Sequence, residues 1–159
     1  MTYIVTAIYP EAKPLIKHFG LKKHPNKGKL DIYTNEEISL IVSGTGMIKS
    51  SVATTYLLST MQYNENHTIF NIGICGAVNT KVKIGSPVLC NKVIDSTTGR
   101  SYYPDILLRH PVNELSIESF PLPVVKDNCQ KLQAELVDME AAGFMQATTT
   151  FLKSHNIYC

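Results

Sequence analysis

Two acids stand two residues apart in Glu135-Leu136-Val137-Asp138-Met139-Glu140-Ala141-Ala142-Gly143, after an apolar pair and before a run of small residues. The order predicts an extended segment that becomes a helix near Glu140. A carboxylate at such a junction can accept hydrogen bonds from two neighbouring hydroxyls, as on the 2′ and 3′ positions of a ribose. The plainer alternative is a solvated acidic pair. If the segment is extended, positions two apart face the same side; if the helix has begun, they diverge. The sequence of strand, acid and small residues favours Glu140 as the inward one.

A third acid, Glu11, follows the apolar opening in Thr6-Ala7-Ile8-Tyr9-Pro10-Glu11-Ala12. It has two readings: a general base, or a carboxylate that stabilises the first turn of a helix through the helix dipole. Local sequence favours the second. Two glycine turns complete the set. Ser43-Gly44-Thr45-Gly46 joins a strand to a helix, where backbone amides favour an anion. Gly73-Ile74-Cys75-Gly76-Ala77 follows a buried strand, at the end of the sheet where open α/β folds bind ligands. Either turn also serves as a simple tight connection. Cys75 has no histidine near it in sequence to activate its thiol, so a buried, inert cysteine is expected rather than a nucleophile. Arg100 and Arg109, the only arginines, fall in an irregular stretch with Tyr102, Tyr103 and His110, and read as surface residues or as a clamp for a base or phosphate.

The elements that must position these residues are legible in part. Tyr3 to Ile8 predicts a buried first strand, with a helix from Pro10 to His18 ended by Gly20. Lys29–Thr34 and Ile38–Ser43 predict a hairpin turning at Asn35-Glu36-Glu37. A helix follows from Met47 to Met61, with Ile48, Val52, Tyr56 and Ser59 on one face. Thr68–Ile72 predicts another strand. Ile84 to Cys90 leads into a further one that continues through Val93-Ile94-Asp95. From Ser96 to Lys126 the periodicity weakens, and four prolines predict loop and short strand. A helical turn near Asn128–Gln133, a strand at Leu136-Val137, a helix from Met139 to Leu152 and a strand opening at Ile157-Tyr158-Cys159 complete the chain. Alternating strands and helices predict an α/β fold with parallel pairing.

At 159 residues, 44% apolar and 18% charged, the chain reads as one globular domain over 1–159. A net charge of +2 gives no nucleic-acid footprint, and the lysines between Lys17 and Lys29 read as a solvated surface. No apolar run approaches the roughly 18 residues that cross a bilayer. The opening Met1-Thr2-Tyr3-Ile4-Val5 carries no secretory leader, so a cytoplasmic location is expected. Cys75, Cys90, Cys129 and Cys159 have no metal-binding spacing and are expected to be free thiols. The histidines likewise show no metal pattern.

Taken in order, the opening strand and Glu11, the Ser-Gly-x-Gly turn, the Asn71-to-Gly76 turn, Ile84-Gly85-Ser86-Pro87-Val88 and Val137-Asp138-Met139-Glu140-Ala141-Ala142 resemble the purine nucleoside phosphorylase and methylthioadenosine/S-adenosylhomocysteine nucleosidase superfamily. The opening is similar to that of futalosine hydrolase, a relative. The resemblance runs from Tyr3 to about Val93 and resumes from Leu136 to Gln146. It implies a nucleoside phosphorylase-like three-layer α/β fold with a central mixed sheet, incomplete at the C-terminal end. It implies cleavage of the N-glycosidic bond of a purine nucleoside by hydrolysis or phosphorolysis, through a ribosyl cation.

By this similarity Glu11 activates the attacking water, and Gly46 with Gly73, Ile74, Cys75 and Gly76 forms the phosphate- or ribose-side loops. Val137 and Asp138 flank Met139, which packs on the ribose, and Glu140, which binds its hydroxyls. No metal or organic cofactor is implied. Phosphate enters only as a co-substrate, and the partners implied are the nucleoside and further copies of the chain, as a homodimer or larger.

Three departures qualify the resemblance. The family's strand ending in Ser-Asp, whose aspartate protonates the base, has no counterpart before Cys159. The strand and loop that cover the base are not recognisable between Pro111 and Leu136. Ile74 stands where a small polar residue is usual. The acid is then absent or replaced, with Asp95, Asp105 and Asp138 as candidates. Two alternatives follow: a catalytically impaired nucleoside-binding remnant or sensor, and a product whose gene continues past Cys159.

Overall fold

The computed structural model describes residues 1–25, 28–61, 64, 66–77, 82–125, 132–152 and 156–159. β1 (Thr2–Thr6) lies between two parallel neighbours, β4 (Ile38–Val42) and β5 (Thr68–Asn71). Such a strand is buried on both faces, and its uninterrupted Tyr-Ile-Val run suits that place. Successive side chains leave the sheet on opposite sides. Ile4 packs with Leu40 and with Ala12 of α1 (Tyr9–Phe19), while Tyr3 and Val5 join Ile41 and Leu57 in the larger core. α1 therefore covers one face and α2 (Met47–Thr60) the other, and α3 (Ala141–Phe151) packs against α2. α1 ends at Gly20, whose φ of 63° is readily available to glycine.

β2 (Lys22–Lys23) and β3 (Ile32–Thr34) extend this sheet antiparallel beyond β4. The β3–β4 hairpin turns where expected, with the Asn35 side chain accepting hydrogen bonds from the N–H groups of Glu37 and Ile38. β11 (Ile157–Tyr158) lies parallel to β5 at the other edge. A loop clips it there: Asp105 donates its N–H to the Ile157 carbonyl and accepts the Ile157 N–H on its carboxylate.

A second sheet has the order β6-β10-β9-β7-β8. β9 (Asn113–Ser119) is parallel to both β7 (Val88–Asp95) and β10 (Leu136–Asp138). β6 (Gly76–Ala77) and β8 (Ser101–Tyr102) are antiparallel edges. Both sheets are mixed, and they join where the Cys90 N–H donates to the Cys159 carbonyl at 2.8 Å. Three layers of mixed sheet and helix are those of the expected nucleoside phosphorylase-like fold.

Two expectations need correction. β9 is a seven-residue strand at the centre of its sheet, where only loop and short strand were anticipated. Its sequence, Asn-Glu-Leu-Ser-Ile-Glu-Ser, has no apolar run, and Glu118 and Ser119 are buried by virtue of side-chain hydrogen bonds. On α2, Ile48 and Val52 face outward, while Ser50, Ala53, Thr54, Leu57 and Leu58 are buried. The cause is the close crossing of α3: a Cβ on Gly143 would lie 2.0 Å from the Met47 carbonyl oxygen. A contact that tight selects small residues near the crossing over an apolar stripe. The helical turn expected near Asn128–Gln133 falls largely outside the described residues. Among the described residues no helix is long and apolar enough to cross a membrane.

Candidate functional site

The C-terminal ends of β1, β5 and β10 converge on a cavity of about 220 Å³. Glu11, Gly73, Ile74, Cys75, Asp138 and Glu140 line it. Residues separated by more than a hundred positions in the chain thus share one wall. Gly46, Gly76, Val137 and Met139, also expected at the site, stand beside the cavity rather than along it, and two of them bond to its lining. Gly46 and Met139 donate backbone N–H groups to Glu140, and Gly76 pairs with Val137 across β6 and β10. A Cβ on Gly76 would come within 2.9 Å of Val137 Cγ2, so this pairing needs glycine.

Glu11 occupies the third position of α1. Its Oε2 accepts the N–H groups of Ala7 and Ile8, at 3.0 and 3.1 Å. This is one half of a capping box; Ile8 has no acceptor to complete the other. Its Oε1 accepts the Ile74 N–H at 3.1 Å and keeps one lone pair free. The helix-stabilising reading of Glu11 thus rests on Oε2, while Oε1 keeps an acceptor position on the cavity side. A Cβ at position 73 would meet that Oε1 at 3.3 Å, so glycine there leaves the carboxylate room.

Glu140 is the N-cap residue of α3. Its Oε1 accepts the Gly46 N–H at 2.8 Å and its Oε2 the Met139 N–H at 3.3 Å. Each oxygen retains one lone pair, a number that matches the two hydroxyls of a vicinal diol. Gly46, at φ 109°, takes a conformation that side-chain-bearing residues rarely adopt and thereby aims its N–H at this carboxylate. Burial pushes the Glu140 carboxyl up, the Gly46 bond opposes that, and the charges of Asp138 and Glu11 add to the rise. Three carboxyl groups thus act on one cavity, an electrostatic field suited to positive charge.

Asp138 ends β10 and, rather than diverging from Glu140, faces the same cavity. Its Oδ2 accepts the N–H groups of Glu140 and Ala141, at 3.0 and 2.6 Å, and caps α3. Its Oδ1 accepts from the Ser119 hydroxyl at 2.5 Å, and that hydroxyl in turn accepts the Ala142 N–H. Burial pushes this carboxyl up, against the pull of these hydrogen bonds. Ser119 was not singled out in the sequence, because it lies at the end of the unrecognised β9.

Cys75, Cys90 and Cys159 gather on the same wall as free thiols. Burial raises all three, Cys90 to about 12, which fits the inert behaviour expected of Cys75. Arg100 is not on the wall. It lies over the Tyr102 ring at 4.9 Å and donates to Gln146 of α3, a surface role. Among the described residues no group of three or more histidines, cysteines or acids is disposed to hold a metal ion.

Residues 2–122 match the family model of the phosphorylase superfamily. The 5′-methylthioadenosine/S-adenosylhomocysteine nucleosidase of Buchnera aphidicola is 28% identical over 96% of this chain. The chain spans 65% of that relative's length. A Helicobacter pylori nucleosidase of the same kind, solved with 5′-methylthioadenosine in its active site, superposes with a TM-score of 0.84 at 16% identity, covering 99% of this chain and 82% of its own. A futalosine hydrolase mutant from Helicobacter pylori gives 0.80 at 16% identity, with 99% and 86% covered. The structural matches establish the fold, and the match over residues 2–122 establishes the kinship: this chain belongs to the phosphorylase superfamily.

Proposed function

We propose that the protein is a hydrolytic nucleosidase that cleaves the N-glycosidic bond of a purine nucleoside, with water rather than phosphate as the nucleophile. The observation that carries this is the hydrogen bond from Gly46 to Glu140. The N-terminus of α2 is where an anion would be held, and a carboxylate of the chain already takes its leading N–H. A phosphate brought there would meet a like charge in a low-dielectric cavity. Water meets no such penalty.

In this reading Glu140 grips the sugar diol with its two free lone pairs. Glu11 uses the free lone pair of Oε1 to orient water and accept its proton. The two carboxylates stabilise positive charge that develops on the ribosyl carbon as the base departs. The names of the relatives, nucleosidases for methylthioadenosine and S-adenosylhomocysteine and a futalosine hydrolase, support the class of substrate. Nucleoside and water suffice, and no cofactor is called for. Free thiols at Cys75, Cys90 and Cys159 fit work in a reducing cytoplasm. We also infer a homodimer or larger assembly, in which a second copy covers the exposed Ile48 and Val52 beside Leu30 and Val42; a sedimenting species that stays monomeric at all concentrations removes that inference.

The test is release of free base by the purified chain from adenosine, inosine, methylthioadenosine and uridine, with and without phosphate. Release that is independent of phosphate supports hydrolysis. Release only with phosphate makes the protein a phosphorylase. Binding without release favours a nucleoside-binding remnant or sensor.

A further inference from the structure

A carboxylate grips a diol only if its own position is fixed, because hydrogen bonds weaken steeply as their alignment is lost. Glu140 is the N-cap residue of α3, so its carboxylate moves with the start of that helix. The N–H groups at a helix start have no partner within the helix. Here two side chains of the second sheet take them. Asp138 Oδ2 accepts those of Glu140 and Ala141, and Ser119 Oγ accepts that of Ala142 at 2.9 Å. Asp95 and Asp105 have no part in this; they bond to Thr97 with Thr98, and to Ile157.

The Ser119 hydroxyl in turn donates to Asp138 Oδ1 at 2.5 Å. One hydroxyl therefore caps α3 directly and also holds the carboxylate that makes the other two caps. Its own place is rigid. Ser119 is fully buried and stands opposite Asp138 in the parallel β9–β10 register and opposite Asp95 of β7. Its carbonyl accepts the Ser96 N–H. It lies behind the cavity wall, with Asp138 between it and the cavity.

We propose that Ser119 is a positioning residue for Glu140, fixing the start of α3 through its own hydroxyl and through Asp138 so that the Glu140 carboxylate meets the 2′ and 3′ hydroxyls of a ribose. The assignment rests on the sugar-binding reading of Glu140 above. Without the hydroxyl, the N–H of buried Ala142 and Oδ1 of Asp138 both lose a partner. The start of α3 must shift to satisfy them, and Glu140 shifts with it.

The experiment measures ligand binding by titration calorimetry to the wild type, Ser119→Ala, Glu140→Ala and the double variant. The ligands are carbocyclic adenosine and carbocyclic inosine, which have no glycosidic bond to hydrolyse, and their 2′,3′-dideoxy counterparts. Ser119→Ala is expected to weaken binding of the diol-bearing ligands about tenfold and of the dideoxy ligands less than about twofold. In the Glu140→Ala background the same change is expected to cost the diol-bearing ligands less than about twofold, because the group it positions is gone. A purely structural role would weaken both ligand classes alike and persist without Glu140. Either result overturns the assignment, as does unchanged binding.

Should Ser119→Ala not fold, the wild type decides. Coupling is reciprocal, so a ligand that uses Glu140 tightens the bonds that hold it. With saturating ligand, amide exchange at Ala141 and Ala142 is expected to slow at least about threefold more for the diol-bearing ligands than for the dideoxy ones. Equal exchange with both overturns the assignment. A wild type that binds both classes equally, or binds neither, overturns the sugar-site reading and the assignment with it. Diol-dependent binding that is indifferent to Ser119 overturns the assignment alone.

Discussion

Glu140 accepts the backbone N–H of Gly46 at 2.8 Å across 94 residues of sequence. The bond ties the start of α3 to the start of α2 and sets a carboxylate over the α2 N-terminus. One contact thus fixes the relation of two helices and the polarity of the cavity between them.

Removing that carboxylate tests its grip on the sugar. Glu140→Ala is expected to weaken binding of a carbocyclic nucleoside, which has no glycosidic bond to cleave, by about 1–3 kcal/mol through lost charge-assisted hydrogen bonds. Titration calorimetry gives the affinity, and unchanged binding in a folded variant would take Glu140 out of the sugar site.

Glu11 is expected to act on turnover more than on affinity. Glu11→Gln replaces a proton acceptor with an amide, and kcat should fall about 10²–10⁴-fold with KM changing far less. Steady-state kinetics on the best nucleoside separates the two. A rise in KM at constant kcat would make Glu11 a binding residue only.

Gly143→Ala probes the helix crossing. Alanine is the better helix former by about 1 kcal/mol. The added Cβ would nonetheless sit 2.0 Å from the Met47 carbonyl oxygen, so α2 and α3 must part. A net loss of about 2 kcal/mol or more is expected, with urea unfolding as the measurement. An equal or higher midpoint would mean that the crossing is looser than described.

The buried acids give stability a pH signature. Burial raises Asp138 above the ordinary 3.8 of an aspartate. Its folded form therefore holds a proton that the unfolded chain has already released. That contribution is complete below the unfolded value and is lost as pH rises through the folded one. Glu140 is raised as well and follows the same sign. Glu135 follows the opposite one, because its bonds from the Ser116 side chain and backbone lower it. Asp138→Asn removes the first contribution, so the variant should gain on the wild type in thermal midpoint from about pH 4 upward. Parallel curves would show that Asp138 is not held protonated.

What the sequence determined by itself is the local grammar. β-branched runs marked β1 and β5, Gly20 marked the end of α1, and Asn35 marked the hairpin. Glu11, Asp138, Glu140 and the turn at Gly73 to Cys75, which the sequence singled out by type and order, come together on one cavity wall. β9 stayed hidden because two of its three buried positions, Glu118 and Ser119, are polar and held by hydrogen bonds, with Ile117 alone among them apolar, and Ser119 stayed hidden with it. The burial of Ser50 and Thr54 in place of Ile48 and Val52 was equally unreadable, because it depends on how closely another helix approaches. Only the tertiary structure decided which lone pairs remain free on Glu11, Glu140 and Asp138. That depends on which distant N–H and O–H groups reach each oxygen, and spacing along one chain carries no record of it.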